Sequence, residues 1–541
     1  VTATAPAATT KPDVGSEPSW IRSLPAAHAA VGLIVAFTIF RMMSAAFVGL
    51  GVDEAYTLAI ARHLQLSYFD HPPLHLWIVH ALAPVLGYGR LARLPFIVLF
   101  AGSSWLLFDL TGRLFGEKAA LWALLTVSLS GFFTVVASSW ILPDGPLIFC
   151  LLAATCELTR LIIPSAGEAS AAAPRAGAWL RVGLWIGLAG LSKYQAVLFA
   201  LGVCWFLVST AAGRAWLRRP GPYLAALLAA AIVSPVLVWN AQHQWASFAF
   251  QGDRAAPSHV LRPTAVVGAL IGQMALLLPW IFVPLVLAAF AAARAGPADV
   301  RRWLCVTLSL PCIMIFTVTP LWGQTSLPHW SMPAWLFLLP VMGDHLARAA
   351  AAGRWPRIWA ISSLFVLLAV WSLLLSDAAT GWVGAAWPKT FPKGDPTLES
   401  VEWSRLAWAP EVTDLLLRPG SFVVSMKWNE AGRIVSAIGD QAPVVVLSDD
   451  PRGFAETHPS ASLVGHDALI VVKPEDLADG LSRVGRCFER IDPLQVARFG
   501  RQGRPELELH LFAGHHFSAA CSQIGLRGSV AQSQWAALKT H

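Results

Sequence analysis

Apolar runs of membrane-spanning length recur between residues 26 and 376, and no other feature constrains the fold of this chain as strongly. A transmembrane helix needs about 20 mostly apolar residues. In lipid the backbone must satisfy its own hydrogen bonds, so such runs become helices. Eleven spans are predicted, at 26–48, 91–113, 119–138, 145–163, 179–192, 195–213, 222–239, 263–292, 303–319, 331–348 and 358–376. Only 13% of the 541 residues are charged and the mean hydropathy is +0.57, whereas soluble domains carry about 25% charged residues. The deficit lies within the apolar stretch. The expected division is therefore a disordered cytoplasmic leader at 1–25, a transmembrane domain at 26–376 and a soluble domain at 377–541. The leader is rich in Ala, Thr, Pro and Ser and lacks the apolar core of a signal peptide.

The net charge of +7 does not call for a nucleic-acid partner, because the basic residues sit in short loops between apolar runs. Arg113 and Lys118, then Arg160, Arg175 and Arg181, then Arg214, Arg218 and Arg219 mark alternate loops. Arg294, Arg301 and Arg302, then Arg348, Arg354 and Arg357, continue the series. This is the positive-inside pattern. It predicts a multi-pass inner-membrane protein with its N-terminus in the cytoplasm. An odd number of spans places the C-terminal domain in the periplasm, facing the loop 50–90. Eleven acidic residues lie within 26–376. Asp109, Glu117, Glu157, Glu168, Asp299 and Asp344 fall at cytoplasmic helix ends; Asp53, Glu54, Asp70, Asp144 and Asp253 fall on the outer side. Carboxylates held at a membrane edge are functional candidates.

The first outer loop is too long for a connector. Residues 54–64 and 74–86 are amphipathic and read as helices lying at the membrane surface, with Pro72-Pro73 starting the second. Asp53 alone reads as a helix cap, but a cap does not explain Glu54, Asp70 and His71 close by. Asp144 is either a cap on the fourth span or functional. Lys193, at an outward turn between two spans, is either functional or a snorkelling lysine. His329 and Trp330 open the tenth span, where they suit substrate binding; a tryptophan there is also ordinary interfacial chemistry.

Four motifs occur in order on this outer side: Asp53-Glu54-Ala55-Tyr56, Tyr68-Phe69-Asp70-His71-Pro72-Pro73-Leu74, Leu142-Pro143-Asp144-Gly145-Pro146-Leu147 and Leu191-Ser192-Lys193-Tyr194. Together they resemble bacterial glycosyltransferases of the protein-mannosyltransferase-like superfamily. That group includes protein O-mannosyltransferases and the aminoarabinose and galacturonic acid transferases of lipid A. The resemblance implies a GT-C fold, a sugar donor on a polyprenyl phosphate, and an acceptor on lipid A or lipopolysaccharide, another glycan, a lipid or a protein. Asp53 then matches the proposed catalytic base and Glu54 its partner. Asp70 and His71 line the same cavity. His71 stands where aminoarabinose transferases resemble one another in a lysine that contacts the carrier phosphate, so here the pattern departs. A base must take the acceptor proton, and cations or donors must meet the leaving phosphate. Lys193, Arg62, His71 and His329 are the candidates. A single displacement would invert the anomeric centre. No nucleotide fingerprint or zinc-type Cys/His spacing occurs; no cofactor is assigned, and a divalent metal stays open.

The tail alternates strands and helices: strands at 421–425, 443–447, 468–472 and 506–512, helices at 428–438 and 475–485. This predicts a small α/β layer, serving as a cap over the outer face or as an acceptor-recognition module. Five of seven cysteines fall in apolar spans; Cys487 and Cys521 lie in the tail, where an oxidising compartment lets them pair. A lipid or polysaccharide transporter is the competing reading. It calls for internal repeats and polar groups at the bilayer midplane, whereas the acids here gather at one edge. An inactive scaffold is the third, and the retained carboxylates argue against it.

Overall fold

The structure is a computed structural model and describes residues 24–163, 176–255, 260–323, 326–392, 394–408 and 410–522. Most of the expected leader, Glu168, Arg175 and the start of the tenth-span motif at Gln324 lie outside them. Seven helices are long and apolar enough to cross a membrane, and nine if each of two sharply bent pairs counts as one span, against eleven expected segments. This is a multi-pass membrane protein. The two expected segments that hold no described helix of spanning length are 179–192 and 331–348. The segment predicted as one span at 263–292 is two helices, Pro263–Leu277 and Pro279–Ala295. They break at Leu278, which has φ +77°, because Pro279 disfavours helical geometry in the residue before it. The segment at 331–348 is likewise interrupted by short 3-10 turns before the helix Leu339–Ala352. The expected short span at 179–192 lies in the helix Ala176–Ser192, which starts where the described residues resume.

Asp144–Ile162 is the central helix, with 89% of its most apolar window buried, whereas Pro25–Phe47, Pro279–Ala298 and Trp355–Thr380 bury only 17% and present apolar side chains outward. At one end of the bundle, acids and bases pair off. Asp109 meets Arg113 and Arg160, and Glu157 meets Arg160 and Arg181. Asp344 meets Arg302 and Arg348. Arg302 lies over the Phe115 ring and Arg301 donates to Leu114 O, which joins the two clusters. These are the acids expected at cytoplasmic helix ends.

The opposite end carries the loop 50–90 and the tail. The loop forms the helices Val52–Ile60 and Leu74–Leu86, as expected. The tail holds a five-stranded sheet: β1 (Phe422–Ser425), β2 (Val444–Val446), β3 (Ala468–Val472), β4 (Phe488–Arg501) and β5 (Arg504–Phe517), in the order β2-β1-β3-β5-β4. β1 pairs in parallel with β2 and β3, and β5 runs antiparallel to β3 and β4. The parallel strands are fully buried, as sheets covered on both faces must be. Cys487 and Cys521 form a disulfide with Cα atoms 5.5 Å apart, closing a loop of 34 residues; such closure stabilises by about 4 kcal/mol in the chain-entropy account. Sequence reading missed β4, which is half polar and carries Pro493 beside a register shift.

One apolar core ties the tail to the membrane part. Tyr56, Ile60, Tyr68 and Phe96 pack in a single cluster with Trp403, Ile434, Val444 and Leu469. The helix Trp428–Ile438 crosses Val52–Ile60 so closely that a Cβ on Gly432 would sit 2.7 Å from the Tyr56 backbone. Glycine at that crossing lets the two helices meet.

Candidate active site

Glu54, one turn into the helix Val52–Ile60, is buried and saturated. Arg93 Nε and Nη2 reach its two carboxylate oxygens at 2.7 and 2.5 Å. The backbone N–H groups of Gly51 and Ile141 add bonds of 2.9 and 3.1 Å. Arg93 also donates to the carbonyls of Ala45, Val48 and Gly49. The pair thus staples the end of the first span, the outer-loop helix and the Trp140–Ile141 corner together. That corner exists because the segment from Glu117 to Ser139 bends by 80°.

Asp53 is the neighbour left accessible. It lines a cavity of about 320 Å³ with Trp140, Trp371, Thr397 and Glu399. Partial enclosure raises its pKa above the ordinary carboxylate value; Asp70 adds to the rise, Arg452 opposes it, and Glu399 and Glu54 contribute less. A carboxylate so perturbed is a better base than a free one. Asp70 is held from two sides. Tyr56 Oη donates to its Oδ1 at 3.1 Å, and Gln251 Nε2 donates to its carbonyl at 2.8 Å. Tyr56 Oη in turn accepts from Gly453 N–H at 2.9 Å, so a loop of the tail is latched onto the site. In that loop Arg452, with φ +47°, stacks on Trp428 at 3.9 Å and lies 5.5 Å from the Phe250 ring centre.

A second cavity, about 230 Å³, is lined by His71, Lys193, Tyr194, Gln251, Arg254 and Trp330, among others. Lys193 Nζ reaches both carboxylate oxygens of Asp144, at 3.0 and 2.9 Å, and both residues are buried. Arg254 is partly exposed and packs against Phe250 and Trp330 at 4.2 and 5.4 Å. Burial, then the Lys193 charge, push His71 down to about 3 and His329 down to about 4. Both imidazoles are neutral at physiological pH. They can donate a hydrogen bond to an anion but supply no charge. Arg62 lies elsewhere: it pairs with Asp440 of the tail at 2.6 Å and stacks on Tyr88 at 4.2 Å, lining neither cavity.

Residues 70–239 match the family model described as dolichyl-phosphate-mannose-protein mannosyltransferase. A lipid A galacturonosyltransferase, RgtD of Rhizobium johnstonii, is 24% identical over 331 residues, which cover 60% of this chain and 66% of that protein, just under two thirds. The crystal structure of ArnT from Cupriavidus metallidurans bound to undecaprenyl phosphate superposes with a TM-score of 0.59 at 17% identity, covering 89% of this chain and 97% of ArnT. The apo form of ArnT gives 0.55 at 15% identity, covering 90% and 98%.

The chain has the GT-C fold seen in ArnT. In this GT-C protein the fold gathers most of the residues expected at the site: Asp53 and Glu54 at one cavity, His71, Lys193 and Trp330 at the other. Asp144 bonds Lys193, His329 lies beside Trp330 with ring centres 6.3 Å apart, and Asp70 is held through Tyr56. Sequence reasoning missed Arg93, Gln251, Arg254, Glu399 and Arg452. Arg93 had a local signal, a charge inside the start of an apolar span. Arg452 had none, being about 400 residues from Asp53 in the chain. Among the described residues one acidic trio could ligate a metal, Glu430, Glu475 and Asp476, with ligand atoms within 4.8 Å of one another. Lys427 lies 2.7 Å from Asp476 and Lys473 3.5 Å from Glu430, so two ammonium groups already offset most of its charge.

Proposed function

We propose that this protein is a membrane glycosyltransferase that moves a sugar from a polyprenyl-phosphate donor to a hydroxyl of lipid A or another glycan. The reaction runs on the periplasmic face of the inner membrane, with the N-terminus in the cytoplasm and the sheet domain outside. One observation carries the reading: one cavity bears a cation, Arg254, another bears a carboxylate of raised pKa, Asp53, and the latched Asp70 acts on both groups. The relatives support it, since RgtD is named as a lipid A galacturonosyltransferase and ArnT was crystallised with undecaprenyl phosphate.

The chemistry follows from this arrangement. Asp53 takes the proton of the acceptor hydroxyl as its oxygen attacks the anomeric carbon. The bond from that carbon to the phosphate oxygen breaks, the configuration inverts, and polyprenyl phosphate leaves. Arg254 meets the charge growing on the phosphate, with His71, His329 and Gln251 as neutral donors. Lys193 contributes through its pair with Asp144, which keeps net charge at that position near zero. Glu54 fixes Asp53 by fixing the helix that carries it.

The test is transfer by purified protein in nanodiscs, using polyprenyl-phosphate sugars and lipid A, read by mass spectrometry of the product. Wild type is expected to glycosylate lipid A and Asp53→Asn to leave it unchanged while remaining folded. Transfer by Asp53→Asn at the wild-type rate would remove Asp53 as the base.

A further inference from the structure

A third cavity, about 350 Å³, lies under the sheet domain and shares Val52, Pro396 and Glu399 with the cavity of Asp53. That volume is within the range of small-molecule sites, about 300–1,000 Å³. Four of the side chains lining it carry a buried polar atom without a hydrogen bond: Trp403 Nε1, Asn429 Oδ1, Glu430 Oε1 and Arg433 Nε. Glu430 Oε1 has only the Lys473 ammonium, 3.5 Å away. Buried polar groups are nearly always satisfied, and leaving one unmade costs about 1–3 kcal/mol. Four around one cavity mark a place where a polar molecule completes the bonding.

The kind of molecule follows from the lining. An indole N–H, an amide, a carboxylate and a guanidinium are the groups that bond sugar hydroxyls in both directions. The carboxylates of Asp395, Glu399, Glu430 and Glu475 outnumber the cations Arg433 and Lys473. Arg501 offsets Asp395 at 2.6 Å, which still leaves an acidic excess. Such a lining disfavours phosphate or uronate and suits a neutral or amino sugar. We infer that this recess is the acceptor subsite: it holds a neutral or amino-sugar ring of the acceptor and presents the adjoining hydroxyl to Asp53. Its role as an acceptor subsite rests on the transferase reading; sugar binding in it does not.

The full-length protein in nanodiscs is titrated with glucosamine by saturation-transfer NMR, with glucuronic acid as the anionic control and undecaprenyl phosphate as competitor. Glucosamine is expected to bind, glucuronic acid to bind more weakly, and undecaprenyl phosphate not to displace it. Asn429→Ala should weaken glucosamine roughly fivefold, the loss of about one hydrogen bond. Trp403→Phe, which keeps the ring packing and removes only the N–H, should do the same. Equal or tighter binding of glucuronic acid, displacement by undecaprenyl phosphate, or affinity unchanged in both variants would each overturn the assignment. Because no turnover is read, absence of transferase activity leaves these outcomes distinct.

Discussion

Lys193 Nζ lies 3.0 and 2.9 Å from the two carboxylate oxygens of Asp144, a bidentate ion pair between two buried residues. Removing one partner of such a pair leaves an uncompensated buried charge, at a cost of about 3–5 kcal/mol. Lys193→Ala is therefore expected to lower the melting temperature strongly, beyond any effect on donor affinity. The double variant Lys193→Met/Asp144→Asn should recover most of that loss. Thermal unfolding of the three proteins in one detergent checks both outcomes.

Arg254 carries its charge with aromatic packing and no carboxylate partner within ion-pair distance among the described residues. Arg254→Gln is expected to raise the donor KM by about tenfold or more, the loss of roughly 1.5–3 kcal/mol for a charge-assisted hydrogen bond. Acceptor KM should hardly move. Initial-rate kinetics with each substrate varied in turn decide this; a change in acceptor KM alone would shift the phosphate site.

The acid limb of the reaction should follow Asp53. Its pKa is raised, by burial first and Asp70 second, so protonation removes the base at a pH above the ordinary carboxylate range. Asp70→Asn removes one source of the rise and should shift the limb toward lower pH. The pH profile of kcat/KM for wild type and Asp70→Asn is the measurement.

Stability should fall on acidification through the histidines. His75 is 1% exposed, and burial first, then His71, depress its pKa to about 3. The unfolded chain binds a proton there near pH 6.5 and the folded chain does not. The stability is complete above about 6.5 and declines by about 1.4 kcal/mol per pH unit below it. His75→Phe should flatten that decline in a series of melting curves between neutral and acid pH.

Gly432→Ala offers a test with an unusual sign. In a free helix this change stabilises by up to about 1 kcal/mol. Here the added Cβ would meet the Tyr56 backbone at 2.7 Å, and overpacking costs about 1–3 kcal/mol. The variant is expected to loosen the tail from the outer-loop helix, lowering transfer and exposing the junction to protease. Unchanged proteolysis would show that the crossing tolerates the methyl group.

Much of this was legible in the chain. Apolar run length identified the membrane part, because bilayer thickness and backbone bonding leave little choice. The helix Trp428–Ile438 and the strand Ala468–Val472 coincide with the sequence reading, since periodicity and flanking turns there agree. Bends were not legible: the 80° break before Ser139 and the split at Leu278 depend on packing as well as on Pro and Gly. The acidic motifs were visible, but their division of labour was not. Asp53 and Glu54 are adjacent in sequence, and nothing local says which is saturated.

The sequence by itself determined that this is a membrane bundle with its unusual carboxylates on one side and a small α/β domain beyond them. Those properties follow from hydrophobicity and local spacing, which each segment carries alone. Only the tertiary structure decided that Glu54 is bound by Arg93, that Lys193 is neutralised by Asp144, and that Tyr56 latches the Arg452 loop over Asp70. These pairs join residues 14 to 397 positions apart. The charge state and reach of a side chain depend on which partner folding brings within about 3 Å, and that distance is set by packing.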